Sequence, residues 1–173
     1  LNNKAVTLLE GRNKDQNSGI FNKVVLDLKN GNRLKFNAFR TPADALANVF
    51  YLMGSTSANA KKNPRSSGFY IQLAELLSGD KDYYNMRLGE IFRDMRTFNY
   101  SIKKFNKVRD ESIFYSRAQL GVADTLVRSG RSNLAQEILE QLIEDGFNEF
   151  VIFDALADIF RVKEDYERAI YYY

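Results

Sequence analysis

LGEIF (Leu88–Phe92), VADTL (Val122–Leu126) and LADIF (Leu156–Phe160) follow one another at a fixed step of 34 residues. Each holds a large apolar residue, then Gly or Ala, then a carboxylate, and ends on a large apolar residue. Further columns keep the same step: Phe98, Ser132 and Tyr166; Ser101, Ala135 and Ala169; Phe105, Leu139 and Tyr173. Small residues belong where two helices touch closely, and large ones where they fill the space between. A period of this length marks stacked helix pairs, each burying its apolar stripe only against the next. The fold expected is all-α, a solenoid of antiparallel helix pairs.

The step divides the chain. Regular units occupy 82–115 and 116–149, and a truncated one occupies 150–173. Tyr84–Met95 and Asn99–Val108 read as helices flanking a turn at Arg96–Phe98. Ser116–Arg128 and Asn133–Glu144 flank Ser129–Arg131, with Gly146 as the stop. The last unit begins near Phe150, turns at Lys163–Asp165 and resumes at Tyr166. Residues 41–81 read as a degenerate repeat. Thr41 followed by Pro42 is a cap and a first-turn proline. A helix Ala43–Met53 carries Leu46, Ala47 and Phe50, and Gly54 closes it. A polar loop Ser55–Ser67 contains Pro64 and the basic residues Lys61, Lys62 and Arg65. A helix Gly68–Leu77 then turns Phe69, Leu73, Leu76 and Leu77 inward. On this reading the turn holds an insert of about ten residues, which loop-closure entropy tolerates at low cost. Residues 1–40 read as flanking helices or a partial repeat. Leu1–Gly11 is a helix tail with Ala5, Leu8 and Leu9 on one face. Ile20–Asn30 is a helix with Phe21, Val24, Val25 and Leu28, stopped at Gly31-Asn32. Arg33–Arg40 alternates as an extended segment would.

Composition narrows the chemistry. Of 173 residues 45% are apolar, enough for a continuous core, and neither Cys nor His occurs. Disulfides, thiolate or imidazole metal sites, thiol nucleophiles and histidine acid–base catalysis are therefore excluded. No phosphate loop or nucleophile elbow is present. The expectation is a non-catalytic protein without a metal or cofactor. The longest strongly apolar run, Leu46–Met53, is too short to cross a bilayer. A cysteine-free chain suits reducing and oxidising compartments alike, so localisation stays open between cytoplasm and periplasm. The chain begins at Leu1 and ends within a helical pattern, as a piece of a longer protein would. The net charge of +3 is unevenly spread. Eight Lys/Arg against three Asp/Glu make residues 1–41 +5, and eleven against eight make 42–115 +3. Six against eleven make 116–173 −5. Such polarity steers partners or promotes head-to-tail contact, though solvated faces alone also account for it.

At the repeated residues the chain resembles the tetratricopeptide repeat family. The unit Leu156-Ala157, Phe160, Asp165-Tyr166, Ala169 and Tyr173 carries the pattern. So do Val122-Ala123, Leu126, Gly130, Ala135 and Leu139, and Leu88-Gly89, Phe92, Phe98, Ser101 and Phe105. The resemblance covers about residues 82–173. Two positions depart from it: Ile113 and Phe147 stand where Pro is common, and Arg96 stands where Gly is common, which puts the first turn in question. The resemblance implies a right-handed superhelical array within a larger, bacterial-type repeat protein. It also implies that the first helix of each unit lines a concave groove for a peptide or helix of another protein.

Read on that arrangement, Glu90, Asp124 and Asp158 form a carboxylate ladder. Arg93, Arg128 and Arg161 lie about one turn further on, with Asp94, Arg117 and Asp154 beside them. Tyr83, Met86, Leu120 and Val127 supply apolar patches. The alternative is that these charges pair with one another and hold the units in register. One subtype of the family clamps a peptide's terminal carboxylate with Lys and Asn. Here Met86 and Leu120 stand in place of Lys, and Glu90 and Asp124 in place of Asn, so no such clamp is expected and a basic partner is. Two other readings compete. Ser129–Gly146 resembles a pentatricopeptide unit, which would bind RNA, but phosphate needs a basic track and this half is acidic. Self-assembly through Tyr171–Tyr173 at the open C-terminal edge is the other.

Overall fold

Two compact units, residues 1–38 and 39–173, make up the chain. The structure is a computed structural model that describes residues 6–7, 25–32, 41–59 and 63–173. In the first unit residues 6–7 and 25–29 are helical, and Leu28 is buried. Gly31 adopts φ 76° and the Asn32 N–H reaches back to the Asp27 carbonyl at 2.9 Å. The helix therefore stops where Gly31-Asn32 predicts. Most of the expected N-terminal helix, the start of the second and the extended segment at 33–40 lie outside the described residues.

In the second unit all described regular structure is helical: α1 Pro42–Asn59, α2 Pro64–Leu77, α3 Asp82–Asp94, α4 Phe98–Phe105, α5 Tyr115–Arg128, α6 Ser132–Glu144, α7 Phe150–Val162 and α8 Tyr166–Tyr172. They pack as consecutive pairs, α1 with α2 through α7 with α8, and each pair touches the next. Contacts of α3 with α5 and of α5 with α7 bring the first helices into one row. No helix among the described residues is long and apolar enough to cross a membrane.

Most of the repeated columns form the core, although Phe98 and Ser132 are half-buried and Tyr166 and Tyr173 are exposed. Leu88, Val122 and Leu156 are buried, as are Ala123, Ala157, Ala135 and Ala169. Phe105 fills the space between α3 and α5, and glycine makes that space. A β-carbon at Gly121 would lie 2.4 Å from Phe105 Cζ, and one at Gly89 would lie 2.6 Å from its ring. Ser101, in the small-residue column, donates to the Gly89 carbonyl at 2.8 Å and meets Thr125 Oγ1 at 3.1 Å. Thr125 donates in turn to the Gly121 carbonyl at 2.6 Å. These buried hydroxyls are thus satisfied while α3, α4 and α5 approach closely.

The turns repeat too. Arg96, Gly130 and Glu164, one period apart, have φ 58°, 78° and 61°. Thr97 donates to the Phe92 carbonyl, Arg131 to that of Leu126, and Asp165 to that of Phe160, at 2.8–3.0 Å. Arg96 therefore makes the same helix-ending turn as Gly130 does, without the glycine.

The segment 41–81 differs from expectation. Its start holds: Asp44 N–H donates to Thr41 Oγ1 at 3.1 Å, and Thr41 N–H donates to Asp44 Oδ2 at 3.0 Å, a reciprocal cap. Gly54 does not end the helix. It lies inside α1, where a β-carbon would meet Ile71 Cγ1 at 2.7 Å and the Ser67 carbonyl at 3.0 Å. Ser55–Ser67 is not one loop, because α1 runs on to Asn59 and α2 begins at Pro64. Asn63 Oδ1 accepts from Ser66 N–H at 3.1 Å and Pro64 takes the first helical position. The extra length lies in the helices themselves. Arg65 is exposed in the first turn of α2, and Lys61 and Lys62 lie outside the described residues. The inward face of α2 is Ser67, Gly68, Ile71 and Ala74, while Phe69 and Leu76 are 58% and 74% exposed. Small residues win that face because α1 presses on it at Gly54.

Candidate functional site

A groove of about 510 Å³ opens along the row of first helices. From α3 come Glu90 and Arg93; from α5 come Arg117, Leu120, Asp124 and Val127; from α7 come Val151, Asp154, Ala155, Asp158, Arg161 and Val162. The core residues Phe105 and Leu139 form part of its floor. The period sets this lining: a carboxylate follows the buried small residue in each first helix, so burying the small residue turns the next side chain toward the groove.

The ladder is not bare. Arg93 Nη1 pairs with Asp124 Oδ2 at 2.9 Å, and Arg117 Nη2 pairs with Glu90 Oε1 at 2.9 Å. Both pairs join α3 to α5. Arg87 also holds Glu90, Arg128 holds Asp124 at 3.0 Å, and Arg161 holds Asp158 at 2.7 Å. Tyr173 donates to Asp158 at 2.9 Å. Hydrogen bonds from Arg161 and Tyr173 hold the Asp158 carboxyl below the usual carboxylate range. Glu90, Arg93, Arg117 and Asp124 line the groove and also tie one unit to the next, whereas Asp158 and Arg161 pair within the last unit. Asp154 alone of the groove carboxylates has no partner among the described residues.

No protein-family model and no curated protein matches this chain.

The remaining predicted residues sit elsewhere. Met86 is 1% exposed and packs in the core. Tyr83 is half-buried in the seam between α1 and α3, its hydroxyl bonded to that of Tyr51 and its ring 5.3 Å from Phe114. Burial, and then the bond to Tyr51, push the Tyr83 hydroxyl well above its ordinary value. Asp94 is exposed beside Arg93 at the end of α3, and Arg128 is exposed with its guanidinium turned to Asp124. Sequence reasoning missed Val151, Ala155 and Val162. The signal was present, since Val151 and Val162 are apolar residues on α7 that fall outside the buried column of Ile152, Leu156, Ile159 and Phe160. Among the described residues no group of three or more acidic side chains converges as a metal site requires.

Proposed function

We propose that the chain is an array of the tetratricopeptide type, a right-handed superhelix whose groove binds a basic, amphipathic segment of another protein. The observation that carries this reading is the groove lining on α3, α5 and α7. Exposed valines (Val127, Val151, Val162) and the half-buried Leu120 lie among charges that are neutralised in pairs, and one carboxylate, Asp154, is left over. A helix laying an apolar stripe in the groove would cover the valines and Leu120, and a Lys or Arg on its edge would meet Asp154. Paired arginines on the rim would disfavour a partner with clustered positive charge, so the segment carries one or two cations spaced among Leu or Ile. The role is that of a scaffold, with binding energy drawn from burial and orientation from charge.

The test is fluorescence anisotropy with two labelled helical peptides. One is amphipathic with Leu at helical spacing and an edge Lys; the other has Glu at that edge. The Lys peptide is expected to bind more tightly. Val151→Asp and Asp154→Lys are each expected to weaken it about tenfold, a change of about 1.4 kcal/mol, while Asp94→Lys outside the groove leaves it unchanged. Equal binding by both groove variants and the wild type would remove the groove as the site.

A further inference from the structure

The second-helix side of the stack carries a surface that the groove does not use. Phe69 and Leu76 on α2, Tyr100 on α4 and Leu134 on α6 are all large, apolar and exposed. Between α2 and α4 lies a cleft of about 410 Å³, with Phe69, Leu73 and Leu76 along it and Lys81, Lys104 and Lys107 around it. An adjoining hollow reaches Tyr100 and Lys103. Glu75 holds Lys104. Lys81, Lys103 and Lys107 have no carboxylate partner among the described residues. One period further on, α6 presents the same columns with the opposite sign. Leu134 stands at the position of Tyr100 and Glu137 at that of Lys103. Leu134, Glu137, Gln141 and Glu144 share one exposed face of α6. Glu137 and Glu144 are likewise unpaired among the described residues.

We propose that this side is a self-complementary interface whose occupant is a second copy of the chain. The α6 of each copy seats Leu134, Glu137 and Glu144 on the lysine-rimmed α2–α4 cleft of the other. The argument is that one surface carries both halves of a match. A basic apolar cleft and an acidic apolar stripe lie on successive units, so a two-fold axis between them brings each half onto its complement twice. A foreign acidic partner would use the cleft and leave the acidic stripe of α6 without a role. The lysine and glutamate rows set the register and the approach, and the exposed Phe69, Leu76, Tyr100 and Leu134 supply the burial. The proposal is independent of the groove and of what it binds.

Sedimentation velocity of the 173-residue chain over about a hundredfold range of concentration tests it, at low salt and at about 0.5 M salt. The wild type is expected to dimerise, and less so in high salt. Lys103→Glu with Lys107→Glu sets acidic residues on the cleft rim against the acidic stripe of α6; Glu137→Lys with Glu144→Lys sets a basic stripe against the basic rim. Each double reversal is expected to weaken the dimer at least about tenfold, and an equimolar mixture of the two is expected to restore association as a heterodimer. Circular dichroism melts confirm that these exposed positions leave the fold intact, and Lys103→Gln with Lys107→Gln replaces the first variant if it unfolds. A wild type that stays monomeric at every concentration overturns the proposal. So does a dimer indifferent to either reversal, or a mixture that fails to associate. A monomeric wild type that binds an acidic amphipathic peptide through Lys103 and Lys107 overturns it in favour of a foreign partner.

Discussion

Arg96 and Glu164 pay for a turn that glycine makes freely. Both hold φ near +60° at the position Gly130 occupies one period away, and a side chain there costs about 1–2 kcal/mol. Glycine recovers this strain but gains entropy in the unfolded chain. Arg96→Gly and Glu164→Gly are therefore each expected to stabilise by about 0.5–1 kcal/mol, read as a rise in urea midpoint without a change in slope. Gly130→Ala should lower the midpoint instead. The opposite lesson comes from Gly121, where conformation is ordinary and space is the constraint. Gly121→Ala places a methyl group against the Phe105 ring and is expected to cost about 1–3 kcal/mol. Combined with Phe105→Leu, the loss should be smaller than the sum of the two single losses, because the shorter side chain vacates the contested volume. Strict additivity in that double-mutant cycle would show that the glycine is not there to admit the ring.

The elements were legible where spacing alone decides and illegible where small residues do. From Asp82 onward every helix lies within a few residues of its expected bounds, because large apolar residues alternate with turns at a constant step. In the groove, Glu90, Asp124 and Asp158 were found because a periodic scaffold repeats its exposed positions as well as its buried ones. Met86 was misplaced because apolarity does not distinguish a core face from a groove face one third of a turn away. The pair α1–α2 was misread for a related reason. Its crossing is made by Gly54, Ser67, Gly68 and Ala74, residues that in a sequence resemble a loop, and a polar stretch of Ser and Thr extends α1. Yet Asn63-Pro64 offered the same cap-and-proline start as Thr41-Pro42. The difference between loop and helix at 55–59 is measurable. Thr56 is exposed and bonds only the Leu52 carbonyl of its own helix. Thr56→Pro is expected to cost about 3 kcal/mol in a helix interior, whereas a loop would absorb it. A thermal midpoint unchanged by that substitution would refute the continuous α1.

A stack of pairs draws its stability from its units and from the seams between them. One buried apolar cluster runs from α3 to α8 through those seams, and the polar ties that supplement it are mostly exposed ion pairs of small value. Asp82 is the exception. It is buried at the first turn of α3, and Arg109, just beyond α4, donates to it from Nε at 2.9 Å and from Nη2 at 2.6 Å. The Arg109 backbone N–H adds a longer bond at 3.3 Å. The unit 82–115 is thereby closed on itself. Burial alone would push the Asp82 carboxyl up, but these bonds from Arg109 outweigh it and hold the group below the usual carboxylate range. A carboxyl with its folded pKa below the unfolded value of about 3.9 binds fewer protons when folded. Its stabilisation is therefore fully present above about pH 5 and is lost as pH falls through the folded value. Asp110, Asp158 and Asp165 are depressed as well, but Asp110 and Asp158 are exposed and Asp165 is only half-buried, so solvent screens them and the acid limb of stability belongs chiefly to Asp82. Asp82→Asn is expected to cost about 1–2 kcal/mol at pH 7, discounted because the Arg109 side chain is itself exposed. As pH falls through the folded value of Asp82 the variant and the wild type should converge, since below it both carry a neutral group at that position. Urea midpoints at pH 7, 5, 3 and 2 measure the convergence, and hydrogen exchange locates it. If the tie works as the geometry requires, amides of 82–115 lose protection first as the wild type is acidified, and in Asp82→Asn they have already lost it at pH 7. Parallel midpoints for the two proteins across the whole range would mean that Asp82 is not the group on which acid acts.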